Sequence, residues 1–379
     1  MSVGGIIIGL NSNEKRVLDL IKQDPFLTQA KLAEILSINR STLANIVSSL
    51  TQKRYLQGRA YIVNEPADIF CIGAMNIDRI FQLKTTLLKA TSNPVNSTVT
   101  VGGVARNVAE NLGRMELSVS LLSLAGIDAD FEEIKAVTQP FVNLDHVKAL
   151  ENHNTSSYTA ILDETGQMEV AFADMEICDQ MNAEWITNYH LQIENCQFIA
   201  MDLNLTQSAV EQVMNLARKQ QIPLLVIPVS GPKMNHLPEN LKGITWLIVN
   251  QDESEEYFNH KVKTEDDFLT VANLWIDRGV ENVIITRGTK PLLYLNQTKE
   301  ALYYQPPNNP RLVDVTGAGD SFVAGLIYGL KKEYAPSEAI HYGITNSYYT
   351  VQSPSTVRKN LNAQLIEEER QMIGNCQIN

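Results

Sequence analysis

The first part of the chain carries apolar residues at helical spacing. Val17, Leu18 and Ile21 share one face of a stretch that begins near Glu14, and Asp24-Pro25 stops it because proline cannot continue a helix. Thr28 starts a second helix with Leu32, Ala33, Ile35 and Leu36 facing inward. After a tight turn at 37–40, Ser41 is expected to cap a third helix with Leu43, Ile46, Val47 and Leu50 on its inner face. Residues 58–63, Gly-Arg-Ala-Tyr-Ile-Val, read as a short β wing, and 64–66 as a linker. Beyond Ile69 the rhythm changes. Apolar runs at 69–72, 119–124, 198–201, 224–227, 246–249 and 283–286 alternate with helical patterns at 103–115, 206–220, 264–278 and 321–332. That alternation predicts a parallel sheet with helices on both faces. Two segments break it: 76–81, which leaves the first strand, and a hairpin of 158–162 and 168–173 around the turn 163–166. An antiparallel flap outside a parallel sheet suggests a lid over a substrate, or a dimer-forming edge.

The length of 379 residues suits one large α/β domain and a small one, set here at 67–370 and 13–64. No apolar run reaches the length of a membrane span, so no membrane partner is expected. The Ile6-Ile7-Ile8 patch is short and lacks a basic run before it, so it does not read as a signal peptide. Four scattered cysteines without a CxxC pair, and six dispersed histidines, argue against zinc or a disulfide framework and fit a reducing cytoplasm. The net charge of −12 is uneven: residues 1–66 hold eight lysines and arginines against five acids. A mildly basic head on an acidic body suggests two functions, although chance variation of surface charge gives the same picture.

The chemistry is concentrated at Val313-Asp314-Val315-Thr316-Gly317-Ala318-Gly319-Asp320-Ser321-Phe322. A β-branched strand is expected to end at Asp314, followed by small residues and an apolar helix. Backbone N–H groups at such a turn, with the positive end of the helix dipole, suit a phosphate or a developing oxyanion. Asp320 at its mouth is either a helix N-cap or a base that takes a proton from a substrate hydroxyl. Upstream, a strand at 97–101 runs into Gly102-Gly103-Val104-Ala105-Arg106-Asn107, where paired glycines allow close backbone approach and Asn107 is placed to hydrogen-bond a polyol. Asp78 follows the first strand at the carboxyl edge of the sheet, where it either accepts two ribose hydroxyls or stabilises a turn.

Taken together, these stretches resemble the ribokinase-like (PfkB) carbohydrate kinase family from about residue 68 to about 369. The resemblance implies an α/β fold, a three-layer α/β/α sandwich with a small β lid. It implies that Gly317, Ala318 and Gly319 form an anion hole and that Asp320 is the catalytic base. It places Asp78, Gly102, Gly103 and Asn107 at the sugar, with Asn76 and Arg106 beside them. Asn250-Gln251-Asp252-Glu253 matches the family's NxxE motif, which organises Mg²⁺ and phosphate mostly through water, so Asn250 and Glu253 are candidates; the same string also reads as an Asx turn with a helix-start glutamate. Thr286 and Gly288 resemble the nucleotide-contacting turn, with Arg287 where a small or apolar residue is usual, and Asn346 lies on the helix expected to flank adenine. ATP and Mg²⁺ are implied, and a monovalent cation is a further candidate.

Local strings narrow the resemblance. Gly102–Leu112, the lid string 166–177 and Met201-Asp202-Leu203-Asn204-Leu205 resemble pseudouridine kinases more than ribokinases. Asp174 and the lid amides would pair with the polar edge of a uracil ring. The expected reaction is ATP-dependent phosphorylation of the ribose 5′-hydroxyl of pseudouridine. Ribokinase, another nucleoside or sugar kinase, and a regulator that uses the kinase fold as a ligand sensor stand as alternatives. A homodimer through the lid is expected. The all-α head resembles a winged helix-turn-helix of bacterial regulators, with Arg40, Ser41, Thr42 and Asn45 at base edges of duplex DNA and Lys53, Arg54 and Arg59 near phosphates. A three-helix dimerisation or docking module is the alternative.

Overall fold

The computed structural model describes residues 10–23, 27–53, 55–56, 68–309 and 311–378. The chain divides into two compact units between residues 65 and 66.

The smaller unit consists of α1 (Ser12–Gln23), α2 (Gln29–Leu36) and α3 (Arg40–Gln52). Their apolar stripes, including Val17, Leu32, Leu43 and Leu50, close one small core. Thr28 caps α2 by accepting from the Lys31 amide, as its position predicts. Ser41 does not cap α3. The cap is Asn39, whose side chain accepts from the Thr42 amide at 2.8 Å, while the Ser41 hydroxyl donates to the same oxygen. An amide side chain one residue before the helix reaches the orphan N–H better than a hydroxyl already inside it. Lys53 is also reassigned: its ammonium lies 2.7 Å from the buried Glu14 carboxylate, which also accepts from the Ser49 hydroxyl. These bonds hold the Glu14 carboxyl down at about 2. The stop at Asp24-Pro25, the Ile6–Ile8 patch, the wing at 58–63 with Arg59, Arg54 and the linker at 64–66 lie outside the described residues.

The larger unit runs β1 (Ile69–Ile72), β2 (Asn76–Leu83), β3 (Val95–Gly102), α4 (Val104–Arg114), β4 (Val119–Gly126), α5 (Ala129–Thr138), β5 (Val147–Leu150), β6 (Ser157–Leu162) and β7 (Met168–Asp174). It continues α6 (Ala183–Thr187), α7 (His190–Glu194), β8 (Phe198–Asp202), α8 (Gln207–Gln220), β9 (Leu224–Ile227), β10 (Trp246–Asn250), α9 (Gln251–Phe258), α10 (Glu265–Asp277) and β11 (Asn282–Arg287). It closes with β12 (Lys290–Asn296), β13 (Ala301–Tyr304), α11 (Ala318–Lys331), α12 (Pro336–Thr350), α13 (Ala363–Ile373) and β14 (Gln377–Ile378), so the expected boundary at 370 falls inside a helix.

Among the described residues the large sheet has the order β14-β13-β12-β11-β10-β9-β8-β1-β4-β5. It is parallel from β11 to β5 and antiparallel beyond β11. Its central strands are apolar on both faces because both are covered. Phe70, Ile72, Ile199 and Met201 enter one core with α8 and α10, and Ile69, Cys71, Phe198 and Ala200 enter the other with α4, α11 and α12. The sandwich is therefore three-layered. From β1 the chain builds outward through β4 and β5, then returns to β8 on the opposite side of β1. Ligands bind at the carboxyl ends of strands beside such a reversal.

The lid is a second sheet, β3-β2-β6-β7. The segments at 76–81 and 97–101 both belong to it, as an antiparallel pair in which Asp78 lies opposite Thr100.

One expectation fails in this unit. No strand precedes the Gly317 turn: 312–315 is extended chain with exposed Leu312, Val313 and Val315, and the Val313 amide bonds Val351 O at 2.8 Å rather than a sheet partner. β-branched composition without a neighbouring strand edge does not make a strand.

Candidate active site

Two helix N-termini converge at the carboxyl edge of the sheet. Gly103 starts α4 at φ +97, where a Cβ would meet Met75 Cα at 2.4 Å, so only glycine lets the β3–α4 turn pass so close to the β1–β2 connection. Gly317 starts α11 at φ +78, with Thr356 O at 2.3 Å from its missing Cβ. The Asp314 side chain tightens this second turn by accepting from the amide and hydroxyl of Thr316.

Across this junction Asn107 Nδ2 donates to Asp320 Oδ2 at 2.7 Å. The Asn107 carboxamide oxygen accepts from Arg106, whose buried guanidinium also bonds Gly102 O and Glu110. Asp78 accepts from Asn76 Nδ2 at 2.6 Å, and its carboxylate lies against Gly102, 2.2 Å from where a Cβ would be. The structure thus gathers Asn76, Asp78, Gly102, Gly103, Arg106, Asn107 and Asp320 in one place. Loss of solvation pushes the Asp320 carboxyl up to about 6; Asn107 and Arg106 oppose that shift, and Asp202 and Asp78 add to it. Burial also raises Asp78. A half-buried aspartate poised near neutrality suits proton abstraction.

Asp320 is not the N-cap. It lies in the first turn of α11, whose cap is Gly317 with no side-chain bond. The Ala318 amide is spent on Val315 O at 3.2 Å. That leaves first-turn amides such as those of Gly319 and Asp320 for an anion, and a Cβ on Gly319 would meet nothing within 4 Å.

A cleft of 310 Å³ opens beside this turn. Ala318, Gly319, Thr286, Gly288, Phe322 and Tyr348 are among its walls. The predicted turn residues Thr286 and Gly288 are therefore brought to the anion turn. Arg287 between them faces away: it pairs with Glu265 through two nitrogens and lies 3.9 Å over the Phe268 ring. The flanking helix α12 contributes Ile344, Ser347 and Tyr348, with Val351 just past its end. Asn346 on the same helix does not line the cleft. Its side chain is fully buried, donates to Asn111 Oδ1 and Ser321 O, and accepts from Arg358, which pairs with Glu369. Helical periodicity turns it to the opposite face from Tyr348.

Asn250 and Glu253 form a reciprocal capping box at the start of α9, each side chain accepting from the other's amide at 2.8 Å. This is the helix-start arrangement. Among the described residues no three His, Cys, Asp or Glu side chains come together to hold a metal. Asp174 is not brought to the group around Asp78, Asn107 and Asp320. It is exposed, accepts from Asn154, and shares a row with Ser157 and Ile77, so strand alternation puts it on the opposite lid face from Asp78. Sequence reasoning singled out the string around Asp202 but gave this buried acid at the end of β8 no role, and it missed the Arg358–Glu369 pair, which no local motif marks. A lone charge closing the apolar run 198–202 was the available signal for Asp202.

On the smaller unit Arg40, Ser41 and Asn45 are exposed along α3, and Thr42 is partly so.

A profile of the pfkB family carbohydrate kinases matches residues 66–363, and a winged helix-turn-helix DNA-binding profile matches 10–57. The chain is 31% identical over 259 residues to a pseudouridine kinase of Escherichia coli, covering 68% of this chain and 82% of that one. It is 26% identical to an uncharacterized sugar kinase of the same organism, covering 88% and 92%. Among solved structures, a ribokinase of Arabidopsis thaliana complexed with ribose and ATP superposes with a TM-score of 0.75 at 17% identity, covering 81% and 99%; it shows the fold. A carbohydrate kinase from Agrobacterium tumefaciens gives 0.70 at 26% identity, covering 82% and 99%. The chain belongs to the pfkB family of carbohydrate kinases, phosphotransferases acting on an alcohol group, with a winged helix-turn-helix domain ahead of the kinase body.

Proposed function

We propose that this protein is an ATP-dependent pseudouridine kinase that phosphorylates the ribose 5′-hydroxyl. The observation that carries the reading is the Asn107–Asp320 contact beside Asp78, in a chain 31% identical to a pseudouridine kinase. Asn76, Asp78 and Asn107 hold the ribose hydroxyls, and Gly102 and Gly103 let it sit against the backbone. Asp320 takes the 5′-hydroxyl proton as that oxygen bonds the γ-phosphorus and the bond to the β-phosphate oxygen breaks. First-turn amides of α11 stabilise the charge on the transferring group. Adenine and ribose of ATP occupy the 310 Å³ cleft beside the turn.

The donor set fits Mg²⁺ only as an ion held mainly by phosphate oxygens, with Glu253 reaching it through water, since one Glu253 oxygen is already bonded to the Asn250 amide. Bound there, Mg²⁺ neutralises phosphate charge. The lid favours a homodimer: Val99, Phe172, Val170 and Met168 expose apolar surface, and the register puts Val99 and Phe172 on the face away from Asp78. The four buried free cysteines fit a cytoplasmic setting.

The test is turnover with ATP and a panel of pseudouridine, uridine, adenosine, inosine and ribose. Pseudouridine should give the highest kcat/KM, in keeping with the 31% identity to a pseudouridine kinase. A higher value for ribose or inosine overturns the assignment. A second activity, DNA binding by the head, is favoured by the exposed Arg40, Ser41 and Asn45 on α3.

A further inference from the structure

We infer that Asp202 is a positioning residue that sets the spacing between the two segments holding the acceptor. It ends β8, beside β1 at the reversal of strand order, and is fully buried. One oxygen, Oδ2, accepts from two backbone amides, Ala74 and Ala105, each at 3.0 Å. The other accepts from the Asn204 amide at 2.9 Å.

The two amides on Oδ2 belong to separate segments. Ala74 leads into Asn76 and Asp78, and Ala105 directly precedes Arg106 and Asn107. One atom shared by both amides ties them together at fixed distance. Gly73 makes the approach possible, since the Asp202 carboxyl carbon lies 2.2 Å from where a Cβ would stand. Burying a carboxylate is costly, and here backbone N–H groups compensate it, which demands that all three point at it together. A shift in any of them moves Asp78 relative to Asn107, and small displacements of aligned groups are expensive in rate and binding.

The inference rests on the reading that Asn76, Asp78 and Asn107 hold the acceptor. The full-length Asp202→Asn protein tests it, because an amide keeps a single acceptor oxygen and sets an NH2 donor against at least one of the three N–H groups. The KM for pseudouridine should rise about tenfold or more, while the KM for ATP stays within about twofold. Amide hydrogen exchange without any ligand should accelerate at 73–78 and 103–107 and not in α8. Unchanged exchange at those two segments, or equal rises in both KM values with faster exchange throughout, overturns the inference. If the wild type instead prefers inosine, the pseudouridine assignment fails, the kinetic comparison is made with inosine, and the exchange result stands by itself. Should Asp202→Asn not fold, Asp202→Ser leaves room for a water to bridge the same amides, and the same two measurements decide.

Discussion

Asn107 and Asp320 lie 213 positions apart in the chain and meet through a 2.7 Å hydrogen bond between the first turns of α4 and α11. The bond joins the Gly-Gly motif to the Gly-Ala-Gly-Asp motif. It also fixes which oxygen of Asp320, Oδ2, is occupied by Asn107.

Replacing that carboxylate should separate chemistry from binding. Asp320→Asn is expected to lower kcat by about two orders of magnitude or more, the range for losing a general base, with the KM for pseudouridine little changed. Steady-state kinetics on the folded variant check this, and near-normal kcat would remove Asp320 from the role of base.

The same carboxylate should reveal itself in stability. Its folded value near 6 lies above the ordinary aspartate value, so the folded state holds the proton more tightly than the unfolded chain. Any contribution to stability is complete below about pH 4 and is lost as pH rises through about 6. Relative to wild type, Asp320→Asn should therefore gain on the order of 2 kcal/mol between pH 4 and pH 8. Denaturant titrations at the two pH values read the difference; an equal offset at both would contradict the raised value. Wild-type kcat/KM should fall below about pH 6 as the base protonates.

Asn346 should behave as a structural bolt rather than a nucleotide contact. Asn346→Ala strands Asn111 and the buried Arg358 and is expected to cost about 3 kcal/mol of stability. The KM for ATP of the folded fraction should stay within about threefold of wild type. A large KM effect without loss of stability would return Asn346 to the nucleotide site.

In the head, two basic residues should act in different ways. Arg40→Ala should weaken binding to a preferred duplex by about 1–3 kcal/mol and flatten the preference among sequences. Lys53→Met should leave that preference unchanged and lower the melting temperature at pH 7, because Glu14 loses its ammonium partner. Glu14 is held low, so its contribution is present above the ordinary glutamate range and disappears as pH falls toward 2. No measurable binding to duplex DNA by the wild type, or equal affinity of wild type and Arg40→Ala for every sequence, would favour a docking module.

Much of this molecule was legible in local pattern. The strands at 69–72 and 224–227 match to the residue because continuous apolar runs bounded by polar turns leave the chain few alternatives. Both glycine motifs declare themselves because Gly103 and Gly317 take positive φ where a Cβ would also strike backbone atoms, and Asp320 was readable from its position after them. What local pattern could not reveal was which partner each polar group would find. A β-branched stretch at 313–315 stayed extended because no strand edge lies beside it. Asn346 and Tyr348 share a helix, and only the packing of α12 on α4 and α11 decided which faces the cleft. Lid register put Asp174 on the face away from Asp78, and a carboxylate at the end of β8 gathered amides from segments 31 residues apart. Apolar periodicity is a property of neighbours in sequence, whereas a buried hydrogen bond depends on distances that exist only after the layers have closed.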